Sequence, residues 1–350
     1  MTESFDVVVV GGGAMGSATA WQLARRGRSV ALLEQFGPAH DRGSSHGATR
    51  IFRLAYRDPT YVRLAVEALR CWRELESDAG ETLLEQSGQL DHGAPLAIEQ
   101  IALHLSRAGF TAELLGPDRA ADRWPGMRFD RAVVYSPDGG LVYADRTVAA
   151  LQRRAGELGA EIRFDEPVVN IDVGADGVEV HTASRTLRAP VVVAASGSWI
   201  RDVVPATIEL TEFTVTEETP AHYLPRDPSL RWPSFLHHMD DDAAELAFGA
   251  YGLESPGTGV KVGVDHASVE VVTEYVRAWH PGLVPDPVTS TTCLFTSTPD
   301  EHFIVERHGP IVVCSPCSGH GFKFTPVIGE LVADLCDGDE PRYRFGAGAR

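Results

Sequence analysis

The sequence predicts an α/β fold: a doubly wound, largely parallel sheet assembled from separated segments, with an α+β portion inserted into it. Three observations predict this. The chain opens with an apolar strand, a glycine loop and a helix, and a second strand follows at once. The middle of the chain is mixed, with hairpin-like segments and a Pro-, Asp- and aromatic-rich stretch of weak periodicity. Apolar strands then return late, as they do when an insertion interrupts a parallel sheet.

Phe5–Val10 is a near-continuous apolar run and reads as a central strand. Ala14–Arg26 reads as a helix and Ser29–Leu33 as a second strand ending at Glu34. A loop rich in Gly, Ser and Arg runs from Gly37 to Arg50, after which Val62, Val66, Leu69 and Trp72 recur at helical spacing. Thr147–Leu158 is helical and stops at Gly159, a residue suited to a helix C-terminus. Glu161–Phe164, Val168–Val173 and Val178–Thr182 read as strands, the last two joined by the turn Gly174-Ala175-Asp176-Gly177. Val191–Ala195 is another apolar strand, leading into Ser196-Gly197-Ser198-Trp199. The stretch from Pro205 to Thr258 reads as a second sheet, Ser268–Trp279 and Pro326–Cys336 as helices, and Ile311–Val313 as a short strand.

The chain has 350 residues, 43% of them hydrophobic, enough for a large core in one or two domains. Its 49 acidic against 31 basic residues give a net charge of −18, which repels nucleic acid and anionic membranes. No apolar run approaches the ~18 residues of a membrane span. Met1-Thr2-Glu3-Ser4 carries no basic region of the signal-peptide kind, and five cysteines suit a reducing compartment, so a cytoplasmic protein is expected. A monomer or small homo-oligomer is expected.

Gly11-Gly12-Gly13-Ala14-Met15-Gly16 fits G-x-G-x-x-G between a strand and a helix. Gly11 permits the tight turn, Gly13 lets backbone approach a pyrophosphate, and Gly16 lets helix and strand pack closely. The helix start, from Ala14 and Met15 on, offers N–H groups and dipole to phosphate. Glu34, at the end of the second strand, stands where a carboxylate binds ribose hydroxyls and disfavours a 2′-phosphate. This loop leaves NAD and FAD open.

Three further segments bear on that choice. Gly43-Ser44-Ser45-His46-Gly47-Ala48-Thr49-Arg50-Ile51-Phe52-Arg53 resembles the flavin-contacting loop of the sarcosine oxidase family, among the D-amino-acid-oxidase-like flavoproteins. Cys293-Leu294-Phe295-Thr296-Ser297-Thr298-Pro299-Asp300-Glu301-His302-Phe303 and Ser318-Gly319-His320-Gly321-Phe322-Lys323-Phe324 are similar to two more of its signatures, in the same order. The resemblance runs from Phe5 to about Phe345 and is weakest between roughly Glu209 and Gly257.

The resemblance implies an FAD enzyme that oxidises the C–N bond of a small secondary amine or amino acid to an imine and reduces O₂ to H₂O₂. It implies a Rossmann-type FAD-binding domain over 1–80, 138–205 and 290–350, with an inserted mixed-sheet substrate domain over 81–137 and 206–289. Cys293 matches the cysteine to which the family often attaches FAD covalently. Arg53 and Lys323 match the family's binders of the substrate carboxylate; Arg53 could equally be a structural ion pair. Arg50, with Thr49 beside it, is placed over the flavin ring, where a guanidinium stabilises charge gained on reduction. Lys261, in Gly259-Val260-Lys261-Val262-Gly263, matches the lysine that promotes oxygen reduction, against the alternative of a surface lysine at a strand end. His46 aligns with an active-site histidine able to tune the substrate amine, or is an ordinary loop histidine. Ser45, Gly319, Gly321 and Phe322 fall within the flavin motifs, and His320 shapes the glycine turn. Ser196, Gly197 and Trp199 resemble a second FAD-contacting strand end, and Val168 a backbone contact to adenine; both also suit plain packing.

The sequence departs from the family in its substrate half. Phe248-Gly249 stands where a tyrosine precedes glycine, Asp265 (with His266 next to it) where a histidine follows the lysine, and Ser45 where many relatives have histidine. These changes point away from sarcosine itself towards another N-methylated or a cyclic amino acid. His237-His238 with Asp240-Asp241-Asp242 reads as a polar loop, and no metal site is expected. Cys314 and Cys317, like Cys71 and Cys336, read as packing thiols. Alternatives are a flavin dehydrogenase passing electrons to another acceptor, a non-catalytic flavin-binding subunit, and an NAD-dependent dehydrogenase, which the last three motifs disfavour.

Overall fold

The structure is a computed structural model and describes residues 2–239 and 249–345. Its organising element is a six-stranded sheet in the order Glu161–Arg163, Val30–Leu33, Val7–Val10, Val191–Ala194, Ile311–Ser315, Ile304–His308. The first five strands are parallel and the last is antiparallel. The central strands are all-apolar and all-buried because helices or a second sheet cover both faces. On one face the helix Ala14–Arg25 packs between Thr325–Asp337 and Ala144–Glu157. The closeness of the first pair rests on Gly329, where a Cβ would lie 2.6 Å from the Ala18 carbonyl. The long helix Pro59–Ala79 is capped by Asp58, whose side chain accepts from Thr60 N, and ends at left-handed Gly80.

The other face is covered by a four-stranded sheet of Thr2–Ser4, Thr186–Ala189, Gly177–Thr182 and Val168–Gly174. Its hairpin turns where expected, with Gly174 opposite Gly177. The expected strand Phe5–Val10 is shorter, Val7–Val10, and a separate strand before it, Thr2–Ser4, pairs in this covering sheet.

An eight-stranded mixed sheet forms the second body of the fold. Its order is Thr289–Ser290, Ala221–Tyr223, Gly259–Val264, Ala250–Ser255, Ser234–His238, Gln89–Gly93, Val133–Ser136, Glu113–Leu115. One face, with Tyr223, Phe235, Val260 and Val262, packs under the helix Val269–Trp279. Alternate residues on the opposite face, including His222, Leu236, Tyr251, Leu253 and Lys261, border a cavity. His237 and His238, expected in a polar loop, instead lie in a fully buried strand of this sheet. They are tolerated there because His238 Nε2 lies 2.9 Å from the Asp91 carboxylate and His237 stacks on His92 at 4.1 Å. The Asp240–Asp242 part of that reading, and Phe248, lie outside the described residues.

Two smaller sheets join these bodies. Thr49–Phe52, Gly140–Tyr143 and Leu84–Glu85 form one, so the expected Gly37–Arg50 loop ends in a strand. Thr214–Glu218 pairs with Cys293–Ser297 in the other. Among the described residues no helix is long and apolar enough to cross a membrane.

Candidate active site

A cavity of about 490 Å³ lies between the carboxyl ends of the parallel strands and the open face of the eight-stranded sheet. That is where ligands bind in open α/β sheets, and the volume suits a small-molecule site. Every residue given a cofactor- or substrate-binding role above borders it except Gly16. Gly16 is internal: a Cβ there would stand 1.9 Å from Gly11 O, so helix and loop could not close.

The loop end is held by a few hydrogen bonds. Gly11 has φ +107°, and a Cβ on it would meet Ala195 O at 2.5 Å. Glu34, buried, accepts from Gly12 N at 2.6 Å and Phe36 N at 2.9 Å, which ties the second strand to the glycine turn. Ala14 N donates to Ser45 Oγ at 3.0 Å, and Gln152 Nε2 donates to Gly12 O at 2.8 Å. The helix Ala14–Arg25 has glycine at its N-cap and no acid in its first turn, so its positive end faces the cavity uncompensated. Ser196 Oγ, at the end of the central strand, is buried with no partner among the described residues. Trp199 meets Phe36 edge-on at 5.5 Å, and Phe36 meets His40 at 4.9 Å. Val168 sits at a register shift between strands and borders the cavity.

The other end is cationic. Arg50 holds its own loop: Nη2 donates to His46 O at 2.6 Å and Ser44 O at 3.1 Å, and Nη1 to Thr49 O at 2.9 Å. Its Nη2 lies 3.9 Å from Cys293 Sγ, and that sulfur lies 3.8 Å from Ser44 O. Lys261 is not a surface lysine. It is buried, its Nζ donates to Thr49 O at 2.8 Å, and burial, reinforced by Arg50, pushes its pKa down to about 7. Lys323 is buried as well, donates to His320 O at 2.7 Å, and is held well below the ordinary lysine range by burial and by Arg53. Arg53 donates to Ala55 O at 2.7 Å with its guanidinium 3.9 Å from the Tyr56 ring. Among the described residues neither lysine forms an ion pair. His46 is lowered by burial and then by Arg50, and its Nε2 has no partner among the described residues.

The sheet face adds residues that the sequence reading passed over. Tyr251, followed by Gly252, borders the cavity, so a tyrosine before glycine is present after all, three residues beyond Phe248-Gly249. Its ring lies over Gly263, where a Cβ would come within 2.5 Å of it. The signal was available: Tyr251, Leu253 and Ser255 alternate along a strand directly before the lysine segment. His222 was hidden in the weakly periodic stretch. Asp265 and His266 do not border the cavity; His266 turns outward and pairs with Glu218 at 2.8 Å. Cys314, buried on the last parallel strand, and Cys317, half-buried just beyond it, both border the cavity.

A glycine cradle at strand ends that continues into a cationic chamber defines a dinucleotide-dependent oxidoreductase. Comparison with known proteins gives the particular kind. Residues 6–335 match the family described as FAD dependent oxidoreductase, DAO, and the chain belongs to it. It is 33% identical to monomeric sarcosine oxidase of Streptomyces avermitilis over 96% of this chain and 94% of that protein. It is equally 33% identical to human peroxisomal sarcosine oxidase, over 97% of this chain and 94% of that one. Among solved structures, NikD, described as an unusual amino acid oxidase essential for nikkomycin biosynthesis, matches with a TM-score of 0.85 and 31% identity, covering 98% of this chain and 96% of that one. The protein is thus an FAD-dependent oxidoreductase. The cavity fits that cofactor on its own geometry: an open helix N-terminus, an orphaned serine hydroxyl, and cations lining the same cavity.

Proposed function

We propose that the protein oxidises the CH–NH bond of a small secondary amine or amino acid to an imine, with O₂ reduced to H₂O₂. The observation that carries this reading is the pair of buried lysines, Lys261 and Lys323, bonded among the described residues only to backbone carbonyls, in one chamber with Arg53. Buried charge is ordinarily paired. Here the anions the two lysines lack are supplied by chemistry: a substrate carboxylate at Lys323, beside Arg53, and charge developing on oxygen at Lys261.

Gly11, Gly13, Ala14 and Met15 would cradle the pyrophosphate of FAD, Glu34 its ribose, and Val168 its adenine. Ser45, Thr49, Arg50, Ser196, Gly197, Trp199, Gly319, Gly321, Phe322 and Lys323 would hold the remainder, and Cys293 Sγ would be the point of covalent attachment. When bound, FAD accepts two electrons from the carbon beside the amine nitrogen and passes them to O₂. His46 contacts the backbone of Thr292, which leaves Nε2 as an acceptor for the proton an ammonium substrate must lose. The division into an FAD portion, 1–80, 138–205 and 290–350, and a substrate portion, 81–137 and 206–289, is supported by the segments forming the six- and eight-stranded sheets.

The test is anaerobic mixing of the yellow protein with sarcosine, N-methyl-L-tryptophan, L-proline and L-pipecolate, then admission of O₂ with peroxide measured. Bleaching by at least one secondary amine and one peroxide per imine is expected. No bleaching by any of them refutes the reading; bleaching without recovery in air moves the protein to another electron acceptor.

A further inference from the structure

His222 lies on the substrate wall and is used by nothing described so far. Only 6% of it is exposed, yet it borders the cavity. It stands on Ala221–Tyr223, directly across from Lys261 on one side and Thr289 on the other. The ring lies beside the backbone of Thr289, its cross-strand partner, while Nδ1 is buried with no hydrogen-bond partner among the described residues. Nδ1 has no acceptor for a proton among those residues, so the neutral ring carries its proton on Nε2 and Nδ1 presents a lone pair. Burial, and then Lys261, lower the ring's pKa to about 4, so it is neutral near pH 7. The adjacent Lys261 ammonium donates to Thr49 O, away from this lone pair. Leu236 and Leu253, on the same sheet face, are apolar and offer it no donor.

We propose that His222 Nδ1 is a specificity-determining acceptor, selecting ligands that carry an N–H or O–H donor on the side facing Ala221–Tyr223. The proposal rests on the amine-oxidase reading for what the chamber holds, with the carboxylate at Arg53 and Lys323. The ligand class is therefore an N-alkyl or cyclic amino acid whose side group bears a ring N–H, a hydroxyl or an ammonium. A site built around a buried acceptor discriminates against an analogue lacking the donor, because binding it strands the acceptor in an apolar contact.

The test uses the flavin-loaded protein and unreactive carboxylates, so that no turnover is needed. Two isosteric pairs are titrated against the visible flavin band: indole-3-acetate with benzofuran-3-acetate, and 4-hydroxyphenylacetate with 4-methylphenylacetate. In at least one pair the donor-bearing member should bind about tenfold more tightly, the worth of one buried hydrogen bond. The ratio should fall to about one in His222→Leu and be largely kept in His222→Gln, whose amide oxygen can accept. Ratios within about twofold for both pairs, or a preference that survives His222→Leu, overturn the proposal. So does failure of all four ligands to perturb the flavin. If His222→Leu does not load flavin, loss of the preference in His222→Phe is required instead. Peroxide formation from the amine panel is scored on the same preparation. Amine oxidation with ratios near one refutes the His222 proposal alone; a preference without amine oxidation refutes the reading of the reaction and leaves the subsite.

Discussion

Lys261→Met separates the two halves of the proposed reaction. Burial and Arg50 bring the ammonium from 10.5 down to about 7, which disfavours its charged form by on the order of 5 kcal/mol. Negative charge arising about 4 Å away recovers ~4 kcal/mol at an effective dielectric of about 20, a rate factor of about 10³. Arg50 shares the task and part of Lys261 is neutral near pH 7, so a loss of about 10² is expected, within the range for removing one preorganised donor. The structural cost is small, because Thr49 O keeps Arg50 Nη1 at 2.9 Å; removing a desolvated ammonium should leave the melting temperature unchanged or raised. The assay is stopped-flow absorbance of the flavin band, first with substrate under nitrogen, then with oxygenated buffer. Reoxidation should slow by about 10² while reduction changes by less than about threefold. The wild-type reoxidation rate should also fall as pH rises through and above about 7, since the lysine loses its proton there, and this dependence should vanish in Lys261→Met. Equal slowing of both steps, or undisturbed reoxidation, refutes the assignment.

Other consequences follow from the same chamber and from the core beneath it. Arg53→Ala or Lys323→Ala removes a charged hydrogen bond worth roughly 1.5–3 kcal/mol, so indole-3-acetate should bind about ten- to a hundredfold more weakly; an unchanged dissociation constant removes the residue from the site. Acid precipitation should leave yellow pellets for the wild type and a yellow supernatant for Cys293→Ala; a pellet still yellow in the variant puts the tether elsewhere. His92, His237 and His280 are buried under the helix Val269–Trp279, with pKa values lowered by burial first, to about 4 for His237 and about 3 for His280. The unfolded chain therefore takes up more protons between pH ~6.5 and ~4, and stability falls as pH drops through that window. At pH 5 each such histidine costs on the order of 2 kcal/mol. His280→Phe, beside Phe235 at 4.8 Å, should remove about one such increment from the loss measured by denaturant titration between pH 7 and pH 5. An unaltered loss refutes it.

The nucleotide half of the molecule was legible because its rules are local. Four consecutive valines, a glycine turn and a helix each show in a short window, and connection rules leave few sheet orders around them. The loop 43–53 and the late motifs were legible as strings, although the string said nothing of how Arg50 would fold back on His46 O and Ser44 O. The substrate half was not legible, for a physical reason. Its sheet brings Gln89–Gly93 beside Ser234–His238, so the stability of each strand comes from partners far away in sequence. His237 and His238 look like surface residues in isolation and are buried only because Asp91, His92 and Trp279 arrive from elsewhere. Not all of this half is silent: Pro95–Arg107 carries a local helix signal, with proline at its start and Ala97, Ile98, Ile101 and Leu105 at helical spacing.

The two halves also differ in how they tolerate change. At Gly11, Gly16 and Gly321 a Cβ would meet backbone atoms at 2.5, 1.9 and 1.7 Å, so a substitution there displaces main chain and with it the cradle. The substrate wall is built on alternate positions of antiparallel strands, where the side chain at 222, 236, 251 or 253 reaches the cavity by period alone. Replacing one of them alters shape and hydrogen bonding without moving the backbone that carries Lys261. A chain of this fold can therefore keep its redox chemistry and change its substrate one wall residue at a time. That is why His222 and Asp265 bear unequally on specificity: His222 meets the ligand space, whereas Asp265 does not border it.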